Sequence, residues 1–344
     1  MNPTALSMLL LSLALGTTTT LMAHHWLLAW IGLEINTLAI IPMITKTPHP
    51  RAIEAATKYF LTQATASAMI LFTGVMNAWH SNIWEITQLS ATASILISVA
   101  LATKLGLAPL HFWMPEVIQG SPLLTGLILS TWQKIAPMAL LINIAPSTNL
   151  YLITTLGLTS ILIGGWGGTN QTQLRKLMAF SSIGHLGWTM IILKFNPNLA
   201  MFNFIMYSVM TSTAFLSLYY LSTTKMSQLS TPPSKTPTLT SLMMLTLLSL
   251  AGLPPLSGFS PKLLIILDLC KQDMQMLALT MLVTSLMALF FYLRLTYILN
   301  MTLPPNSSPS KTMWRATNTT SSLIAISTSL TILLLPITPM LITT

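Results

Sequence analysis

Eleven runs of mostly apolar residues, each near membrane-spanning length and each bounded by polar, proline-rich or charged breaks, fill this chain from end to end. A helix needs about 20 apolar residues to cross the hydrocarbon core of a bilayer, so the pattern predicts a chain whose solvent is lipid. The runs lie at about 3–21, 25–45, 57–78, 88–118, 122–143, 149–169, 174–194, 199–222, 238–269, 275–299 and 320–342. Composition agrees, since 53% of the 344 residues are hydrophobic and 6% are charged, against roughly 25% charged in a soluble domain. A net charge of +9 could suit a nucleic-acid binder, but with no basic cluster it points to a membrane protein instead. One cysteine, Cys270, excludes a disulfide framework and an iron–sulfur cluster held by this chain alone. The polar stretches 222–237 and 300–319 are too short to fold separately, so residues 1–344 are expected to form a single transmembrane domain. No basic residue precedes the first run, which is therefore read as a retained helix and not a cleaved signal.

Basic residues set the expected orientation. If each run crosses once, Lys46, Arg51, Lys58, Arg175, Lys176, Lys225, Lys235, Lys311 and Arg315 fall on the side of the N-terminus, and Lys194 and Lys271 on the other. That bias places the N-terminus in the cytoplasm, or in the matrix of a mitochondrion, and the C-terminus on the opposite side. The sequons at Asn300, Asn306 and Asn318 then face the basic side, where glycosylation is not expected.

The chemistry lies in ionisable residues left inside apolar runs. Glu34, Lys134 and His185 fall near the middle of their spans, and Lys104 and Lys262 lie inside the two longest. A charge at a helix centre costs roughly 2.5–3.5 kcal/mol on the insertion scale, so these groups must face protein, water or each other. A single intramembrane lysine is explained equally well by a fixed ion pair that positions helices. Glu34, Lys104, Lys134 and Lys262 taken together weaken that explanation, because the carboxylates are too few to neutralise the lysines and a hydrated path is implied. His111 is either a proton relay or a hydrogen-bonded structural histidine. Glu116 and Asp268 are expected in ion pairs, and Glu54, between Arg51 and Lys58, in a solvated one. The methionines read as packing residues, and Trp26 and Trp79 as interface anchors.

The two longest runs are interrupted. One reads Thr103-Lys104-Leu105-Gly106-Leu107-Ala108-Pro109-Leu110-His111, and the other contains Gly252-Leu253-Pro254-Pro255-Leu256-Ser257-Gly258-Phe259-Ser260-Pro261-Lys262. Proline frees backbone carbonyls, which at membrane depth is tolerated only where the backbone is buried in protein or lines a cavity. The interruptions fall in runs four and nine, and this odd offset of five reverses direction. The expected architecture is therefore an all-α polytopic bundle of about eleven spans. It holds two inverted five-helix repeats, about 3–143 and about 149–299, each with a broken helix, and an extra C-terminal helix at about 320–342. The same offset pairs Glu34 with His185.

Other classes fail on absent motifs. Gly164-Gly165-Trp166-Gly167-Gly168 lacks the dinucleotide-binding order and is read as close helix packing. No histidine pair suits a haem, and neither H-E-x-x-H nor a Walker motif occurs. No cofactor or metal is expected in this chain, so its driving force is expected to be bound elsewhere or to be an ion gradient.

Several segments resemble the antiporter-like membrane subunits of respiratory complex I. They are Trp30 through Asn36, Lys58 through Ala64, Lys104 through Glu116, Trp132-Gln133-Lys134, Arg175 through His185 and Gly252 through Lys262. The resemblance runs over essentially the whole chain, and its order of motifs is specific. It implies a proton-translocating subunit of the inner-membrane arm, coupled to NADH oxidation and quinone reduction in neighbouring subunits that hold NAD, FMN, iron–sulfur clusters and ubiquinone. It carries over Glu34 as the glutamate paired with the first lysine, Lys104; Lys134 as the central lysine; and Lys262 as the lysine of the second broken helix. His185 lies on the intervening hydrophilic axis and His111 is a weaker candidate. The implied partners are other membrane-arm subunits and lipids such as cardiolipin, with no nucleic acid. The implied location is the mitochondrial inner membrane, with the N-terminus in the matrix and the C-terminus in the intermembrane space. The family usually has fourteen helices, and three at the N-terminus are missing here, as in the animal mitochondrial form. The mechanism expected is a lateral relay from Glu34 through Lys104 and Lys134 to Lys262, with His185 assisting. A stand-alone cation/proton antiporter and a purely structural subunit are the rival expectations.

Overall fold

The computed structural model describes residues 2–234, 236–300 and 322–338. The expectations for Lys235, Asn306, Lys311, Arg315 and Asn318 fall outside the described residues. The elements are α1 (Pro3–Leu21), α2 (Trp26–Ile44), α3 (Pro50–Ser81), α4 (Ala91–Leu105), α5 (Trp113–Gly120), α6 (Leu123–Ser130), α7 (Trp132–Ile144), α8 (Leu150–Thr169), α9 (Leu174–Leu193), α10 (Pro197–Tyr220), α11 (Pro237–Ala251), α12 (Phe259–Lys271), α13 (Gln275–Leu299) and α14 (Ser322–Leu333). Among the described residues, extended pairing is limited to isolated bridges such as His25 with Glu85. Among the described residues, eight segments are helical, long and apolar enough to cross a membrane, α6 and α7 counting as one, and α4, α11 and α14 are three shorter apolar helices. The chain is a membrane protein built almost wholly of helices.

Three expectations need correction. The third span starts seven residues earlier than its apolar run, because Pro50 opens α3 at a position where a missing N–H costs nothing and His49 accepts from the Arg51 amide. Its 32 residues extend about 48 Å at 1.5 Å per residue, beyond the roughly 30 Å hydrocarbon core. The fifth span is not one regular helix, since Thr131, with ψ at −70°, separates α6 from α7. Trp26 is buried against Gly74 and is no interface anchor, whereas Trp79 is exposed as expected.

The chain divides into two compact units, Met1–Ser160 with Met190–Pro197, and Ile161–Thr189 with Asn198–Thr344. The core of the first gathers Tyr59, Ile70, Ile97 and Leu101, and that of the second Tyr207, Phe215, Phe291 and Tyr292. The outer face of α13 shows Leu279, Val283, Leu286 and Phe290, an apolar surface that lipid solvates without penalty. The glycine run lies in close helix packing as expected: a Cβ on Gly164 would meet the amide nitrogen of Gly184 at 2.6 Å, and Gly168 lies against Phe291.

Each unit contains a helix broken by glycine and proline, and these two breaks share a sequence and a local geometry. Gly106-Leu107-Ala108-Pro109-Leu110 corresponds to Gly252-Leu253-Pro254-Pro255-Leu256, and Pro115-Glu116 to Pro261-Lys262. Gly106 (φ 77°) ends α4 and Gly252 (φ 81°) ends α11 in the left-handed conformation that a side chain resists. Leu107 then donates to the Ala102 carbonyl and Leu253 to that of Leu248, the Schellman closure of a helix C-terminus. The peptide bonds before Pro109 and Pro255 are both cis.

Candidate functional site

In the first unit the breaks in α4 and in the fifth span place two lysines on one cavity. Lys104 occupies the last turn of α4, and Lys134 the first turn of α7, immediately after the kink at Thr131. The cavity holds about 10 Å³ of space for water centres and is lined by Lys104, Lys134, Thr37, Gln63, Gln133 and Tyr59 together with apolar neighbours. That is room for about one water molecule. Lys104 is 6% exposed and Lys134 2%, so both ammonium groups lie inside protein as the cost of lipid exposure requires. The Lys104 Nζ has no hydrogen-bond partner among the described residues.

Glu34, on α2, is half-buried. Glu34 and Lys104 do not form a direct ion pair; the described ion pairs join Lys58 to Glu54 and Glu116, and Lys271 to Asp268. Glu34 meets the cavity through Thr37, whose hydroxyl lies 3.0 Å from its Oε2. Gln133 donates to the Asn36 carbonyl at 3.0 Å and ties α7 to α2. His111 is buried in the break, its ring 4.6 Å from that of Phe112, and is not among the cavity's lining residues. Carbonyls freed by the break are taken up locally: Trp113 Nε1 donates to Thr103 at 3.0 Å, and Thr159 to Ala108 at 3.2 Å.

In the second unit, His185 on α9 and Lys262 on α12 line one cavity with Ser181, Trp188 and Tyr292, with about 20 Å³ of space for water centres. Lys262 donates to the Ala251 carbonyl at 2.7 Å and lies 5.8 Å from the centre of the Trp188 ring. His185 faces Tyr207, ring centres 5.5 Å apart. The structure thus brings together Lys104 with Lys134 and His185 with Lys262, and it leaves His111 outside the first cavity. The ion-pair readings of Glu54, Glu116 and Asp268 hold, with Lys58 and Lys271 as partners.

Thr37, Gln63 and Gln133 were not singled out from the sequence. The two glutamines stand in the segments Lys58 through Ala64 and Trp132 through Lys134, so a polar amide inside an apolar run was the available signal. Threonine carries no such signal, because its hydroxyl is routinely satisfied within a helix.

The family described as NADH:quinone oxidoreductase/Mrp antiporter, TM, matches residues 23–288, which include both broken helices and every candidate residue above. The chain belongs to the NADH:quinone oxidoreductase/Mrp antiporter membrane family. A second match, to the NADH dehydrogenase subunit 2 C-terminus, covers residues 289–342. Relatives within this family include the protein named NADH-ubiquinone oxidoreductase chain 2 of Aquarana catesbeiana, 61% identical over 341 residues and 99% of each chain. The protein of that name from Carassius auratus is 55% identical over 345 residues, 100% of this chain and 99% of the other. Among solved structures, a chain of respiratory complex I from Thermus thermophilus matches with a TM-score of 0.87 at 27% identity, covering 99% of this chain and 80% of that one. A chain of an Mrp complex from a Dietzia species matches with a TM-score of 0.81 at 19% identity, over 86% of this chain and 60% of its own. The latter likeness is one of fold.

Proposed function

We propose that this chain works as the chain-2 membrane subunit of a proton-translocating NADH:ubiquinone oxidoreductase, and that its buried lysines, with Glu34 and His185, carry the protons. Full-length identity of 61% to a relative bearing that name supports the first part. The observation that carries the second is the sharing of one cavity by two buried lysines, Lys104 and Lys134. A proton can pass between amines that share one water-sized cavity, and a change in local charge sets which of them holds it. Glu34 supplies that change: its ionised carboxylate favours charged Lys104, and its neutralisation releases the Lys104 proton toward Lys134. In the second unit Lys262 and His185 form a comparable donor–acceptor set. Imidazole is suited to it because both of its nitrogens can carry a proton. His111 has a weaker claim, since it lies apart from the first cavity.

No cofactor is assigned to this chain. Hydride and electron transfer would occur in neighbouring subunits that bind NAD, FMN, iron–sulfur clusters and ubiquinone, and those membrane-arm subunits and lipids such as cardiolipin would be its partners. The likeness to chain 2 relatives favours a mitochondrial inner-membrane location, and the basic residues on the N-terminal side of the spans favour an N-terminus in the matrix and a C-terminus in the intermembrane space.

The rival reading is a gradient-driven cation/proton antiporter, favoured by the Mrp antiporters named in the family description and by the fold shared with the Mrp complex. Isolation of the chain from its native membrane in mild detergent separates the two. Co-purification with flavin and iron–sulfur subunits, and NADH oxidation by the isolate, is the expected result. A chain recovered without them that exchanges sodium for protons under an imposed gradient would overturn the proposal.

A further inference from the structure

Glu34 is not among the residues that line the cavity shared by Lys104 and Lys134, but Thr37, one turn further along α2, is. The Thr37 hydroxyl lies 2.9 Å from the Glu34 carbonyl oxygen and 3.0 Å from the Glu34 Oε2. A hydroxyl has one proton to donate and oxygen lone pairs with which to accept, so it serves one of these oxygens at a time. When Glu34 is ionised, the charge-assisted bond to Oε2 is the stronger. When Glu34 is protonated, its own O–H donates to Thr37 Oγ1, and the Thr37 proton turns to the backbone carbonyl. The hydroxyl therefore has two settings, selected by the protonation of Glu34.

Back-bonding of a threonine to the carbonyl one turn earlier is common in this chain, as at Thr213 and Thr246, and on its own says nothing. Two things distinguish Thr37: its second partner is a carboxylate, and it lines the cavity into which the Lys104 side chain extends. The same cavity is lined by Gln63, 4% exposed, whose Nε2 and the Lys104 Nζ lack partners among the described residues. Polar groups enclosed this way call for a polar occupant, and the space suits one water.

We propose that Thr37 is a relay hydroxyl that passes the Glu34 proton to the cavity of Lys104 and Lys134, an inference that rests on the function proposed above. In the step, the Glu34 O–H bond breaks and its proton binds Thr37 Oγ1. At the same time the Thr37 O–H, swung from the backbone carbonyl to a water in the cavity, breaks; its proton binds that water, and a proton of that water binds the neutral amine of Lys104. The products are a carboxylate, an unchanged hydroxyl and an ammonium, with no net charge created. The return step runs the same bonds in reverse.

The test uses the assembled, membrane-reconstituted complex and reads protons moved per electron. Thr37→Val keeps the shape of the side chain and removes the hydroxyl, Thr37→Ser keeps the hydroxyl, and Glu34→Gln is the reference. The expected result is a loss in Thr37→Val equal to that in Glu34→Gln, with the ratio kept in Thr37→Ser. A wild-type ratio in Thr37→Val beside a loss in Glu34→Gln overturns the relay and leaves the proposed function standing. Equal losses in Thr37→Val and Thr37→Ser also overturn it, because shape and not the hydroxyl would then matter. A wild-type ratio in Glu34→Gln overturns both readings. If Thr37→Val reduces assembly, Thr37→Ala, which adds no bulk, carries the same expectations.

Discussion

The ammonium of Lys262 donates to the carbonyl of Ala251 at 2.7 Å, so the side chain that opens α12 closes the backbone end of α11. In the first unit the corresponding place after the break is taken by Glu116, which turns to Lys58 on α3, while the Trp113 indole donates to the Thr103 carbonyl, which also accepts from the Gly106 amide. One backbone device thus carries its lysine after the break in one unit and before it, at Lys104, in the other.

Lys262→Met removes the donor and leaves an enclosed carbonyl unsatisfied, a loss of about 1–3 kcal/mol. A lowered thermal unfolding midpoint of the assembled complex is expected, alongside reduced proton transfer. An unchanged midpoint would show that the Ala251 carbonyl finds another donor at no cost.

Gly252→Ala forces a side chain into the left-handed region, which costs roughly 1–2 kcal/mol, and its Cβ would stand 2.8 Å from the Lys262 Nζ. Gly106→Ala carries a similar backbone cost, but its nearest neighbour is the Met114 Sδ at 3.1 Å. Both variants are expected to lower the unfolding midpoint to a similar degree, while a structure of each shows Lys262 displaced only in Gly252→Ala.

Gly164→Ala would put a methyl group 2.6 Å from the backbone nitrogen of Gly184. Backbone cannot step aside as a flexible side chain does, so α8 and α9 must separate, at about 1–3 kcal/mol for overpacking. His185 follows Gly184 in sequence and moves with it. Loss of stability together with reduced proton transfer is the expected pair of measurements.

Much of this was written in the residues. Gly106 and Gly252 with their following prolines mark both broken helices, and Lys104, Lys134 and Lys262 announce enclosure because lipid would penalise them. The kink at Thr131 was not legible: no glycine or proline adjoins it, and the flanking breakers, Gly126 and Pro137, lie inside α6 and α7. The early start of α3 was hidden because Arg51, Glu54 and Lys58 interrupt apolarity without interrupting a helix. Trp26 misled for a related reason, since its position near a span end is shared with true interface anchors and burial against Gly74 depends on another helix. The Glu34–Lys104 relation implied by resemblance named no intermediary, and the place of Thr37, bonded to the Glu34 carboxylate and lining the cavity, depends on packing that sequence does not display.

Lys58 bridges Glu54 and Glu116 at the rim, where the three side chains are 41–59% exposed. Ion pairs so accessible to water contribute little to stability and are screened by salt. Lys58→Met is expected to lower stability only slightly, with the difference shrinking as ionic strength rises. A large loss would place these charges in a far less hydrated setting.

The most direct test of the central claim is the number of protons moved per electron by an assembled complex carrying Lys134→Met, a substitution that keeps an unbranched side chain only one atom shorter and removes its titratable nitrogen. The account predicts that the complex assembles and that either this ratio or the coupled turnover falls. A wild-type ratio at wild-type turnover would contradict it, and would leave Lys134 a buried structural cation.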